Sequence, residues 1–229
     1  MTSATPSPQA GRAALLHNDV DDDELPADAV QAVVFDVGRV IVQWDLRCLF
    51  AKFIPDQQEL DWFVANVVTE EWHFQHDAGR PLADMVPERK ALFPDYAALI
   101  DAYAERFLET IPGPVAGTAA LIDGLAEAGQ PLFAITNFGA EFWDMFRPTQ
   151  PVLDHFQDIV VSGKEKLAKP DPAIFQLAQA RFGHAPAQML FIDDNLANIT
   201  AARLEGWQVH HFENAAVLET DLRARGLIA

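Results

Sequence analysis

The feature that most limits what this chain can become is a series of short apolar runs, separated by helical stretches, that begins at Ala32. The runs are AVVF (32–35), LFAI (132–135), DIVV (158–161), MLFI (189–192) and VHHF (209–212). Runs of four or five residues that are apolar on both faces suit a parallel sheet covered by helices on each side. The stretches between them carry readable helix ends. Pro114 fits a first helical position with Gly129 just past the end, Asp171 and Pro172 read as an N-cap and first-turn proline, and Gly206 closes a helix running from about Asn195. The expected fold is therefore α/β, a doubly wound, Rossmann-like parallel sheet.

One interval breaks the alternation. About 75 residues separate the first run from the helix leading into the second, several times a normal crossover. Helical patterns at 56–68 and 95–111 predict a small helical cap there, with Trp62, Phe63, Tyr103 and Phe107 as its core. The domain reading is a core of 29–46 and 113–229, a cap of 47–112, and a flexible tail of 1–28, whose Ser, Thr, Pro and acidic run bury too little to order it.

Charge narrows the partners. Of 34 acids and 16 Lys and Arg, the tail holds six acids and Arg12, so the rest is acidic too, and no basic stripe is offered to nucleic acid. No segment reaches the roughly 18 apolar residues of a membrane span, and the N-terminus lacks the apolar stretch of a secretory signal, which predicts a cytoplasmic protein. Cys48 is the only cysteine, so no intrachain disulfide forms, and it reads as a packing residue.

In open parallel sheets ligands bind beyond the carboxyl ends of the strands. The first run ends in Asp36, the second in Thr136 and Asn137, the fourth in Asp193 and Asp194, and Lys169 follows the third. Carboxylates for a hard cation, a hydroxyl and an ammonium for phosphoryl oxygens, and a carboxylate nucleophile together suit phosphate chemistry. Each residue also has an ordinary use, Asp193 to Asn195 as helix caps above all. Only their joint placement points to a site.

FDVGRVIV, AITN, KPDPAIF and FIDDNLANI occur in the order of the four motifs of the haloacid dehalogenase superfamily, and span residues 35–199. The chain resembles the branch with a helical C1 cap, and within it the small-sugar phosphatases whose first motif reads FDxGxVI with an Asp at the position of Asp45. The resemblance implies a hydrolase in which Asp36 forms an aspartyl phosphate that water hydrolyses. Thr136, Asn137 and Lys169 would hold the phosphoryl group. Mg²⁺ would be held by Asp36, the Gly38 carbonyl, Asp193 and Asp194, with Asn195 and Asn198 in support. The substrate would be a small phosphorylated metabolite, a sugar phosphate if the likeness to that branch extends so far, and the protein a monomer or homodimer.

One departure matters. Most phosphatases of that superfamily carry a second aspartate two residues after the nucleophile, which protonates the leaving oxygen; here the position is Gly38. Loss of a general acid commonly costs about 10² to 10⁴ in rate. Either the substrate leaves easily, or Asp45 or a cap histidine substitutes, or the protein is catalytically weak. Arg39, where glycine is usual, either touches substrate or pairs with an acid. In EWHFQHDAGR, His76, Asp77 and Arg80 are the candidates for substrate specificity, while His73 and His76 lack the third ligand a zinc site needs. Two other functions stay open. A 2-haloacid dehalogenase would need no metal and would usually follow the nucleophile with Tyr-Gly-Thr, and a binding or regulatory protein could sit on the same fold.

Overall fold

The computed structural model describes Met1 and residues 29–229, so the predicted tail lies, beyond Met1, outside the described residues. The short runs form the strands β1 (Ala32–Phe35), β2 (Leu132–Thr136), β3 (Asp158–Val161), β4 (Met189–Asp193) and β5 (Gln208–His211). They pair in parallel in the order β3-β2-β1-β4-β5. Side chains alternate between the faces. Val33 and Phe35 join the larger core, while Ala32 and Val34 join Phe133, Ile135, Phe175 and Phe191 on the opposite side. Because both faces are covered, β1 carries no polar residue, as the parallel-sheet reading requires.

Between β1 and β2 lie α1 (Arg47–Phe50), α2 (Gln57–Asn66), α3 (Glu70–Asp77), α4 (Leu82–Leu92) and α5 (Ala97–Glu105), then α6 (Thr118–Glu127), which leads into β2. The later helices are α7 (Ala140–Phe146), α8 (Ser162–Glu165), α9 (Pro172–Phe182), α10 (Leu196–Leu204) and α11 (Ala215–Ala224). Their starts are chemically marked. Asp56, Thr69, Asp171 and Asn195 each accept a hydrogen bond from a backbone N–H of the turn they cap. No helix among the described residues is long and apolar enough to cross a membrane.

Two sequence expectations are corrected. Pro114 does not open a helix. It bridges antiparallel to Val42, and α6 starts only after Gly117 turns the chain in a left-handed conformation. The chain leaving the core and the chain returning to it thus run side by side, through Asp45 N–H to Thr110 O, Gln43 N–H to Gly113 O and Val115 N–H to Ile41 O. Trp62 is not core. It is 47% exposed and lies against Tyr96, because the buried stripe of α2 runs through Leu60 and Phe63 instead.

Helix α3 docks directly on the strand ends. Its His76 ring fills the space beside Gly139, where a Cβ would stand 1.9 Å from His76 Cδ2. Ser162 Oγ donates to the carbonyl of Asp77 at 2.6 Å and accepts from Phe138 N–H at 2.9 Å, tying the end of α3 to the loop after β2. Gly139→Ala is therefore expected to push α3 off its seat. Overpacking of this kind costs about 1–3 kcal/mol, or a fall of roughly 3–10 °C in the thermal midpoint. A melt within a degree of wild type would show that α3 has slack there.

Candidate active site

β1 delivers Asp36 to the middle of the sheet's carboxyl edge. Phe35 pairs with Ile192 on one side and Ala134 on the other, so Asp36 comes level with Asp193, and Thr136 ends the neighbouring strand one residue further on. Asp36 Oδ1 accepts from Val37 N–H at 2.7 Å and lies 2.9 Å from Lys169 Nζ. A tight loop follows, closed by Arg39 N–H to Val42 O and Ile41 N–H to Val37 O. Arg39 adopts a left-handed conformation at φ 61°, which accounts for the ease of glycine at this position. Its guanidinium pairs with Glu70 and lies over the Trp44 ring at 4.9 Å.

Lys169 is 1% exposed, and all three of its ammonium donors are used, on Asp36, on Asp193 Oδ2 at 2.7 Å and on the Ile135 carbonyl at 2.8 Å. Burial pulls its pKa down, but the two carboxylates outweigh this and leave it above the ordinary lysine value. Asn137 fixes the lysine backbone through a reciprocal pair, its Nδ2 donating to Lys169 O and its Oδ1 accepting from Lys169 N–H, both at 2.9 Å. The Asn137 side chain, expected on the phosphate, is therefore committed to the main chain.

The acidic pair divides in the same way. Asp193 is fully buried and accepts from Lys169, from Asn198 Nδ2 at 3.1 and 3.0 Å, and from Asn195 N–H at 2.7 Å. Asp194 is half-buried beside it. Carboxylate oxygens of Asp36, Asp193 and Asp194 lie within 4.8 Å of one another. Three carboxylates against one ammonium leave a net charge of two negatives, which a divalent cation would balance. The crowding is visible in the acids: burial raises Asp36 to about 7 despite Lys169, and burial with Asp193 raises Asp194. Thr136, at the end of β2, is 1% exposed, and its Oγ1 is buried with no hydrogen-bond partner among the described residues. An orphaned hydroxyl of this kind costs about 1–3 kcal/mol until an acceptor reaches it.

These groups border a cavity of about 150 Å³ whose polar wall includes Asp36, Arg39, Lys169, Asp194, His73 and Asp77. Val42, Trp44, Phe107, Ile111 and Phe138 supply an apolar wall. Of the residues expected to recognise substrate, Arg39 and Asp77 line this cavity, while His76 and Arg80 do not. His76 donates through Nδ1 to the Arg80 carbonyl and packs on Gly139, and the Arg80 side chain reaches Gln75 and Glu88. Asp45 is likewise elsewhere. It is exposed, and its Oδ1 accepts from Arg47 N–H at the start of α1. Sequence reasoning missed Trp44 and the Phe107–Ile111 segment as cavity walls, and put His73 in the stretch facing the crevice without choosing it over His76 as the residue that lines it. The signal for His73 was Thr69 followed by two glutamates, a helix start that fixes the phase of α3 and turns residues 72, 73, 76 and 77 to one side.

The family model that matches the chain, over residues 30–206, is that of the haloacid dehalogenase-like hydrolases. Among curated proteins, "Acyl-CoA dehydrogenase family member 10" of Mus musculus is 27% identical over 188 residues, covering 75% of this chain but only 17% of that protein. "Sesquiterpene phosphatase astK" of Aspergillus oryzae is 24% identical over 195 residues, 84% of this chain and 95% of that one. Among solved structures, a HAD family enzyme of Bacteroides thetaiotaomicron in complex with magnesium and inorganic phosphate is similar in fold. Its TM-score is 0.63, at 20% identity, over 81% of this chain and 96% of that one.

Proposed function

The chain belongs to the haloacid dehalogenase-like hydrolases, and on that premise we propose that it is a magnesium-dependent phosphatase acting on a small phosphorylated metabolite through an aspartyl phosphate on Asp36. The observation that carries the reading is the arrangement of Lys169, buried between Asp36 and Asp193, with the unpartnered Thr136 hydroxyl on the adjacent strand. A phosphatase among its relatives and a neighbour solved with magnesium and phosphate support it.

In this reading Asp36 attacks phosphorus and the ester oxygen leaves; water then attacks the same phosphorus and frees Asp36. Lys169 keeps the Asp36 carboxylate oriented and offsets the charge that builds on the phosphoryl oxygens, while Thr136 donates to one of them. Asp36, Asp194 and the Gly38 carbonyl would hold the magnesium ion, with Asp193 orienting Lys169 and Asn198 from behind. The bound ion would supply charge neutralisation between the phosphate and the acidic cluster. A haloacid substrate would bring its own carboxylate toward three others, which disfavours dehalogenation.

Wild-type protein is expected to release phosphate from members of a panel of phosphorylated metabolites in millimolar Mg²⁺, and EDTA is expected to stop it. Chloride release from 2-chloropropionate in EDTA, with no phosphate release from any ester, would replace this reading with the dehalogenase one.

A further inference from the structure

Position 38 has no side chain, so a protein group that protonates the leaving oxygen has to be another one on the cavity wall. Arg39 is held by Glu70 and over the Trp44 ring, Lys169 has spent its donors, and the reading above assigns Asp36 and Asp194 to the cation. His73 and Asp77 of α3 remain, and both line the cavity that holds Asp36. Their side chains are buried, 7% and 6% exposed.

The two are paired. His73 Nε2 lies 3.3 Å from Asp77 Oδ2, and Asp77 Oδ1 is buried with no hydrogen-bond partner among the described residues. The other ring nitrogen, Nδ1, lies 2.6 Å from the Tyr103 hydroxyl. A phenol that stays protonated donates to Nδ1, which leaves the imidazole proton on Nε2, facing Asp77. Tyr103 is held protonated because burial, and then Asp77 and Glu141, push its ionisation well above the ordinary range. The ring is fixed by stacking, on Trp44 at 4.8 Å and on Phe107 at 5.5 Å. The backbone of Asp77 is fixed by Ser162, so the pair is anchored to the core that carries Asp36.

We propose that Asp77, positioned by His73, is the general acid and base of this site, in place of a side chain at position 38. The proposal rests on the phosphatase reading. In the first step an Asp36 oxygen forms a bond to phosphorus, the bond from phosphorus to the ester oxygen breaks, and that oxygen takes a proton carried on Asp77 Oδ1, leaving a carboxylate that His73 Nε2–H stabilises through Oδ2. In the second, a water oxygen bonds to phosphorus, the bond to Asp36 breaks, and the proton of that water returns to Asp77. The pair ends as it began.

The test uses two aryl esters that differ in how much their leaving oxygen needs a proton, p-nitrophenyl phosphate and phenyl phosphate, with full-length protein and Mg²⁺. Asp77→Asn is expected to lose about 10² to 10⁴ in kcat/KM on phenyl phosphate but less than about tenfold on p-nitrophenyl phosphate. His73→Gln should show the same split, more weakly. The retained nitrophenyl activity doubles as the control for folding. Equal losses on both esters in both variants, or no loss on either, would overturn the role. Wild-type protein inert toward both esters would overturn the phosphatase reading, and this proposal with it.

Discussion

Asp36→Asn is expected to abolish turnover, by about 10⁴-fold or more, because an amide oxygen cannot form the acyl phosphate on which both half-reactions depend. The fold should survive. Asp36 is buried, and its pKa is raised to about 7 chiefly by that burial, with Asp193 and Asp194 adding to it and Lys169 opposing. A carboxyl with a raised pKa in the folded state is fully compatible with folding below its unfolded value near 4, and becomes a burden as pH rises through 7. The asparagine variant lacks that burden. In EDTA it should melt at or above wild type, with the gap widening between pH 4 and pH 7. Phosphate release and thermal denaturation on the same samples check both halves. A variant keeping more than about 1% of the wild-type rate would remove Asp36 from the mechanism.

Lys169→Met should be the more damaging change to the molecule as a whole. The methionine fills similar volume but leaves Asp36 and Asp193 facing each other, and the Ile135 carbonyl without its donor. Breaking a buried ion pair by removing one partner costs about 3–5 kcal/mol, read as a lower urea midpoint. Activity should fall by about 10² to 10³ even where the variant is still folded, since the charge on the transferring group is no longer offset. Adding Asp193→Asn should recover part of the stability and none of the activity. Full stability in the single variant would mean the two carboxylates are far better solvated than their burial implies.

The sheet was legible because its signal is local and repeated. A parallel strand covered on both faces has to be apolar throughout, and the residue that ends it is then fixed by the pattern, which is how Asp36, Thr136 and Asp193 could be found in advance. The walls facing them were less legible. Helix α3 buries Trp72, His73, His76 and Asp77, a face too polar to register as an amphipathic stripe, so nothing in the hydrophobic pattern set its phase. His73 and His76 are one turn apart in sequence but have different tasks, because docking against Gly139 claims one and the cavity receives the other. Of the specificity candidates in this stretch, Asp77 reaches the cavity, while His76 and Arg80 are taken up by contacts elsewhere. Asp45 was a matter of competing uses: an aspartate two residues ahead of a helical N–H caps the turn, whatever else its position suggests.

Asp36, Thr136 and the acidic pair hang from β1, β2 and β4, whose backbones are locked about 4.8 Å apart by the sheet itself. The surfaces opposite them come from α3 and the Phe107–Ile111 segment, which the sheet does not constrain. Substitution in those surfaces at residues other than His73 and Asp77 can therefore change which molecule is admitted while leaving untouched the spacing of the groups on the strands. In such a scaffold, selection for a new diet can act on the apolar wall while the sheet keeps the strand-borne groups where speed requires them.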